Sequence, residues 1–133
     1  MQQFLFLLAL DARLRPWRLR AAFCMYALIL IAGSIPGARA DIGQVAPGII
    51  LHSVAYGILT CLLFTGTVGS RSGRAVRAVL AIAAMGAADE LLQSLLPYRT
   101  GAIGDWAVDV CAAIVCAALL RGLLPSPESH RPS

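Results

Sequence analysis

The chain has 133 residues, of which 59% are hydrophobic and only 14% are charged. Soluble domains usually contain about 45–50% apolar and about 25% charged residues. This composition excludes an intrinsically disordered chain, a disulfide scaffold and an ordinary soluble enzyme, and it indicates a protein buried in lipid. Because one membrane crossing needs about 20 apolar residues, the length allows a single domain with at most about five crossings.

The cations and the cysteines narrow the class of protein further. Every cation is an arginine, the net charge is +4, and most arginines flank apolar runs, where membrane proteins keep them. We therefore expect no nucleic-acid partner, which would require a basic binding surface. The four cysteines lie inside apolar runs without CxxC spacing, so they are predicted to be packing residues rather than a metal or redox site: Cys24, Cys61, Cys111 and Cys116.

The hydropathy pattern predicts an all-α membrane bundle of four transmembrane helices, preceded by a short N-terminal interfacial helix. Segment 1–18 is predicted to be interfacial or cytoplasmic, with a helix over 2–15, because its apolar run is too short to span. The alternative is that this helix extends the first crossing. A secretory signal would place cations before that run, whereas here they follow it. Crossings are predicted over 19–35, 48–68, 76–96 and 103–123. The membrane domain thus covers 19–124, and the polar tail 125–133 is predicted to be disordered.

Arginine asymmetry predicts the orientation of this bundle. With the N-terminus in the cytoplasm, nine arginines lie inside and two, Arg39 and Arg99, lie outside. Cytoplasmic loops carry the excess of Lys and Arg in membrane proteins. Both termini are therefore expected in the cytoplasm.

Eight polar side chains stand in or beside the predicted crossings, where ionisable groups are costly and mark candidate sites. All are predicted to lie in the outer half of the membrane, which suggests one polar pocket open to the outer face. The alternative is a purely structural hydrogen-bonded network, since buried polar groups need partners in any case. No catalytic or metal-ligand motif occurs, so no catalytic residue, metal or cofactor is predicted. The candidate residues are His52, Tyr56, Asp89, Glu90, Gln93, Arg99, Asp105 and Asp109.

The order of these residues resembles the VanZ-like family of small bacterial membrane proteins. That family shows His-x-x-x-Tyr, then Asp-Glu-x-x-Gln with Pro-x-Arg just after, then an Asp that opens the next helix. The corresponding segments here are 52–56, 89–93, 97–99 and position 105, and the resemblance covers about residues 20–123. The chain departs from the family pattern in three places. Gly48-Ile49 replaces an Asp-Lys pair, Asp109 stands where the family tends to have Asn, and alanine near Ala112 stands where a glycine often follows.

The resemblance implies a protein that crosses the bacterial cytoplasmic membrane several times and has no established reaction. The family takes its name from a member linked to resistance to teicoplanin, a lipoglycopeptide antibiotic that acts on cell-wall precursors at the outer membrane face. We therefore expect a non-enzymatic protein that recognises a polar or lipid-linked envelope ligand, with membrane lipids as its surroundings. Two alternatives stay open: an intramembrane enzyme acting on a lipid-linked substrate, and a subunit of a small oligomeric transporter. The oligomeric state is not predicted.

Overall fold

A computed structural model of the chain describes residues 11–38, 41 and 47–124. Four long helices occupy these ranges: α1, Arg15–Ser34; α2, Gly48–Gly66; α3, Arg71–Ser94; and α4, Ile103–Leu123. A 3₁₀ turn, Ala12–Leu14, precedes α1, and no strand occurs within the described ranges. The prediction of an all-α fold is confirmed for this part of the chain.

Three of the helical segments are long and apolar enough to cross a membrane: Ala12–Ser34, Gly48–Gly66 and Ile103–Leu123. Their outer surfaces carry large apolar side chains, as a helix in contact with lipid requires. Phe23, Leu28 and Leu119 are all exposed, and a water-soluble protein rarely displays so many such residues on one surface. These features are those of a membrane protein.

The helix α3 does not belong to this apolar group, so three spans are found where four were expected. Its sequence carries Arg71, Arg74 and Arg77 near one end and Asp89 and Glu90 near the other. Those charges lower its mean hydropathy. At 1.5 Å per residue, its 24 residues still extend over about 36 Å, which exceeds the roughly 30 Å thickness of a hydrocarbon core.

The helix boundaries follow the predictions closely in α2 and α4 and less closely in α1 and α3. Pro16 lies in the first turn of α1, where proline fits, and the helix begins at Arg15 rather than at 19. The hydroxyl of Ser70 accepts a 3.1 Å hydrogen bond from the Gly73 amide and caps α3, so this helix begins at Arg71 rather than at 76. The tail 125–133 and most of the predicted interfacial helix lie outside the described residues.

The core is built from large side chains of α2 packed against small residues of α3 and α4. Tyr56, Leu59 and Phe64 are almost fully buried, as are Ala78 and Ala113. Small residues let helix backbones approach closely in lipid. The bundle is therefore held by shape complementarity between α2, α3 and α4.

Arginines close one end of the bundle. Arg18 of α1 donates two hydrogen bonds, of 3.1 and 2.9 Å, to the carbonyl of Thr65. Arg71 donates a 2.9 Å hydrogen bond to the carbonyl of Leu124. Both carbonyls lie at helix C-termini, where backbone acceptors lack intrahelical partners. These contacts define the arginine-capped end, and the candidate polar residues lie at the opposite end.

Candidate functional site

The eight candidate residues lie together at the end of the bundle that is remote from the capping arginines. This follows from the alternating chain directions. The first turns of α2 and α4, the last turns of α3 and the short loop 95–102 all meet there. Within that end, the residues form two hydrogen-bonded groups and one separate contact.

The first group is centred on Asp89, which is only 2% exposed. Its Oδ2 accepts a 3.3 Å hydrogen bond from the Tyr56 hydroxyl, and its Oδ1 accepts a 2.8 Å hydrogen bond from the Gln93 amide. The Gln93 carbonyl oxygen accepts from the Arg99 guanidinium. Both carboxylate oxygens therefore have a donor, as buried polar groups require, and the chain of contacts ends on the arginine.

The second group is centred on His52. Its Nδ1 lies 2.8 Å from Asp109 Oδ1, and its Nε2 lies 3.9 Å from Asp105 Oδ2. Asp109 is completely buried. The distance between Nδ1 and Asp109 Oδ1 is that of a side-chain hydrogen bond. The acids of α4 thus fix the position of a histidine that belongs to α2.

Ring stacking joins the two groups. His52 and Tyr56 are four residues apart on α2, hence on one face of the helix. Their ring centroids are 6.1 Å apart and their planes differ by 7°. The two rings form a continuous surface between the Asp89 group and the Asp109 group.

Glu90 belongs to neither group. Its Oε2 accepts a hydrogen bond from the backbone amide of Ala102, which holds the loop after α3 against the start of α4. Its Oε1 is buried without a partner among the described residues. The loop passes so close to α3 that a Cβ atom at Gly101 would lie 2.6 Å from the Glu90 carbonyl oxygen. The carboxylate of Glu90 is therefore placed to shape the loop.

A cavity of about 300 Å³ lies beside these groups, between α1, α2 and α3. Five of the eight candidate residues line it: His52, Tyr56, Asp89, Gln93 and Arg99. The other three, Glu90, Asp105 and Asp109, are not among its lining residues. The expectation that acids from α4 share the pocket is thus not met, because His52 stands between α4 and the cavity. In place of α4, the cavity has α1 as a wall.

The contribution of α1 was not anticipated from the sequence. Ile29, Ala32 and Gly33 line the cavity, and a Cβ atom at Gly33 would lie 3.4 Å from the Gln93 amide nitrogen. At the rim, the Tyr98 hydroxyl donates a 2.6 Å hydrogen bond to the Ser34 carbonyl. Gly33 is not among the residues that the sequence predicts for the site. The signal in the sequence is the glycine itself, because a residue without a side chain lets α1 lie close to the buried Gln93.

The side chains around the cavity can bind a ligand, and the histidine among them is held in place by acids. No group of three or more His, Cys, Asp or Glu side chains suited to a metal ion is found among the described residues. The Arg99 Nε is buried and has no partner there, so the guanidinium retains donor capacity. The cavity therefore combines a cation at its edge, a buried carboxylate and a histidine held by acids.

Comparison with protein-family models, with characterised proteins and with solved structures finds no match to this chain.

Proposed function

We propose that this protein is a VanZ-like protein of the bacterial cytoplasmic membrane whose cavity binds the polar head group of a lipid-linked envelope molecule at the outer face. The observation that carries the proposal is the position of Asp89, a buried carboxylate that lines an open cavity. A carboxylate among membrane helices is costly and usually functional. A purely structural network would have no need of an adjoining cavity or of a donor atom on Arg99 without a partner.

The size of the cavity limits the class of ligand. Small-molecule sites usually measure about 300–1,000 Å³, and this cavity, at about 300 Å³, is at the lower limit. One head-group unit fits, whereas a whole lipoglycopeptide is far too large. The antibiotic itself is therefore a poor candidate, and a lipid-linked cell-wall precursor is a better one. Arg99 supplies the guanidinium that suits a phosphate, and the exposed apolar helix surfaces leave the lipid chain in the bilayer.

The same proposal includes a fourth crossing by α3, with both termini in the cytoplasm. Its length matches a bilayer, and its polar residues Asp89 and Gln93 are buried against other helices. The arginine excess at the capped end supports a cytoplasmic location for that end.

Single cysteines on either side of α3 test this topology. In a variant in which the four native cysteines are serine, Thr100→Cys should react with an impermeant thiol reagent on intact spheroplasts. Ser72→Cys should react only after the membrane is permeabilised. Both positions are exposed. Equal labelling of the two on intact cells would contradict a crossing by α3.

Binding of a fluorescent polyprenyl phosphate to the protein in lipid nanodiscs tests the ligand proposal. We expect Arg99→Gln to weaken binding at least about tenfold, which corresponds to about 1.4 kcal/mol. Gly33→Val should do the same by filling the cavity. Arg20→Gln is the matched control, because Arg20 stacks on Trp17, 4.9 Å from its ring centroid, near the arginine-capped end. Equal affinity of the wild type and both cavity variants, with folding verified, would contradict the proposal.

A second candidate function, an intramembrane enzyme, is favoured by the contact between His52 and Asp109. A carboxylate that fixes a histidine beside a cavity is an arrangement suited to general acid or base catalysis. The test is turnover of a polyprenyl-diphosphate-linked sugar by the purified protein, followed by mass spectrometry. Product formation that is lost in His52→Gln would establish the enzyme. Ligand binding without turnover would favour the binding protein.

A further inference from the structure

Two thiols that the proposed site does not use face each other in the bundle. Cys61 of α2 and Cys116 of α4 have their sulfur atoms 3.3 Å apart, and both cysteines are free. The Cys116 thiol also donates to the carbonyl of Gly57 at 3.4 Å. The other two cysteines, Cys24 and Cys111, are exposed on the outside of the bundle. Only the first pair is arranged for a reaction within one chain.

The separation of the two sulfurs is close to that in a disulfide. An S–S bond measures about 2.03–2.05 Å, so the two sulfurs must approach each other by only about 1.3 Å from their present separation of 3.3 Å. The two cysteines belong to helices that are packed along most of their length. Closure of the bond therefore joins two helices that are already in contact.

The depth of the pair determines which oxidants can reach it. At 1.5 Å per residue, Cys61 lies about 8 Å before the end of α2 at Gly66, and Cys116 lies about 10 Å before the end of α4 at Leu123. Both helices are apolar enough to span the membrane. Glutathione and other water-soluble disulfides have no access to sulfurs in the hydrocarbon layer. An oxidant for this pair must dissolve in lipid.

An apolar groove of about 610 Å³ on the surface of the bundle is lined in part by one of these two cysteines. It runs between α2 and α4, and Cys116 is part of its lining, together with Ser53, Gly57 and Ala112. The rest of the lining is apolar and includes the larger Val115 and Leu119, whereas the small Gly57 and Ala112 leave room for a flat apolar ring beside Cys116. Cys61, whose sulfur lies 3.3 Å from that of Cys116, is not part of the lining.

We propose that Cys61 and Cys116 form a redox pair that is oxidised to an interhelical disulfide by a membrane quinone in this groove. Both S–H bonds break and one S–S bond forms. The two thiols lose two electrons and two protons, and the quinone takes up both electrons and both protons to become a hydroquinone. The disulfide links α2 covalently to α4 at a point about 13 Å along α2 from His52. These are the two helices that carry the contact between His52 and Asp109, so the link restricts their relative movement. The redox pair does not depend on the proposed ligand.

The experiment uses the Cys24→Ser, Cys111→Ser variant of the full chain, in which only this pair remains. The reduced protein in nanodiscs is mixed with a short-chain ubiquinone. We expect the intact mass to fall by two hydrogen atoms, and both thiols to resist alkylation by N-ethylmaleimide after denaturation. One quinone should be reduced per chain. Oxidised glutathione at the same concentration should react at least about tenfold more slowly.

The matched control adds Cys61→Ser to this background, so that Cys116 alone faces the groove. It should neither lose mass nor reduce quinone stoichiometrically. Peptide mapping of the oxidised wild-type chain provides a measurement that does not depend on any substitution. Free thiols after quinone treatment would overturn the proposal. Closure by copper phenanthroline but not by the quinone, or linkage only between different chains, would also overturn it.

Discussion

Asp109 Oδ1 lies 2.8 Å from His52 Nδ1, and this contact joins α4 to α2 beside the cavity. Asp109 has no exposed surface, and its second oxygen, Oδ2, has no partner among the described residues. That oxygen faces Gly86, where a Cβ atom would lie 3.2 Å away. Gly86 thus lets α3 approach this carboxylate closely, while the contact at Oδ1 orients the His52 ring.

Removal of this carboxylate should destabilise the bundle. We expect Asp109→Ala to lower the free energy of unfolding by about 1.5–3 kcal/mol, the range for a hydrogen bond to a charged group. Asp109→Asn retains an oxygen acceptor and should lose less. Unfolding in detergent, followed by tryptophan fluorescence, measures the difference. Cys111→Ala on the same helix is the control, because Cys111 is exposed. Equal losses in the alanine and asparagine variants would contradict the assigned contact.

The contact between Tyr56 and Asp89 should appear as a coupling energy. Tyr56→Phe removes one donor to the buried carboxylate and should cost about 0.5–1.5 kcal/mol. Asp89→Asn should cost more, because it disturbs acceptance from both Tyr56 and Gln93. In the double variant the losses should be less than additive, by at least about 0.5 kcal/mol. Strict additivity in the same unfolding assay would show that the hydroxyl and the carboxylate do not interact.

Gly101 and Gly104 offer a matched pair of substitutions around the loop after α3. A Cβ atom at Gly101 would lie 2.6 Å from the Glu90 carbonyl oxygen, whereas one at Gly104 meets nothing within 4 Å. We expect Gly101→Ala to cost about 1–3 kcal/mol through backbone displacement. Gly104→Ala, in the first turn of α4, should be neutral or slightly stabilising. The midpoint of thermal unfolding compares the two. Similar midpoints would show that the loop does not press against α3.

Arg18 should matter more to stability than the neighbouring Arg20. Arg18 is mostly buried and donates to the Thr65 carbonyl at the end of α2. Arg18→Ala leaves that acceptor without these donors and should cost about 1–3 kcal/mol. Arg20→Ala removes only an exposed arginine stacked on Trp17 and should cost less than about 0.5 kcal/mol. Chemical unfolding of both variants in the same detergent tests the difference, and equal costs would contradict the capping contact.

The sequence predicted α2 and α4 almost to the residue, because long apolar runs with proline or glycine at their ends leave few alternatives. It also predicted which end of the bundle carries the polar residues, since their position along each crossing follows from counting residues. The beginning of α3 was missed because its first turn contains two arginines, which lower the hydropathy there. The cap at Ser70 marks the first turn, but a hydropathy pattern does not register a cap.

The partners of the polar residues were harder to predict than their depth. Counting residues along a helix does not show how each helix is rotated about its axis. The sequence therefore does not show that the partner of Arg99 is Gln93. It also gave no indication that Cys61 and Cys116 are adjacent, because cysteines on different helices have no characteristic spacing. Rotation is set by packing, above all by the small residues of α3 and α4.

The bond from the Tyr98 hydroxyl to the Ser34 carbonyl has a mechanical consequence. It ties the loop that carries Arg99 to the end of α1, and α1 is a helix with an extensive lipid-facing surface. Membrane helices adjust their tilt when the local bilayer becomes thicker or thinner. A tilt of α1 would move this loop as well. The width of the cavity entrance would therefore change with the thickness of the surrounding bilayer.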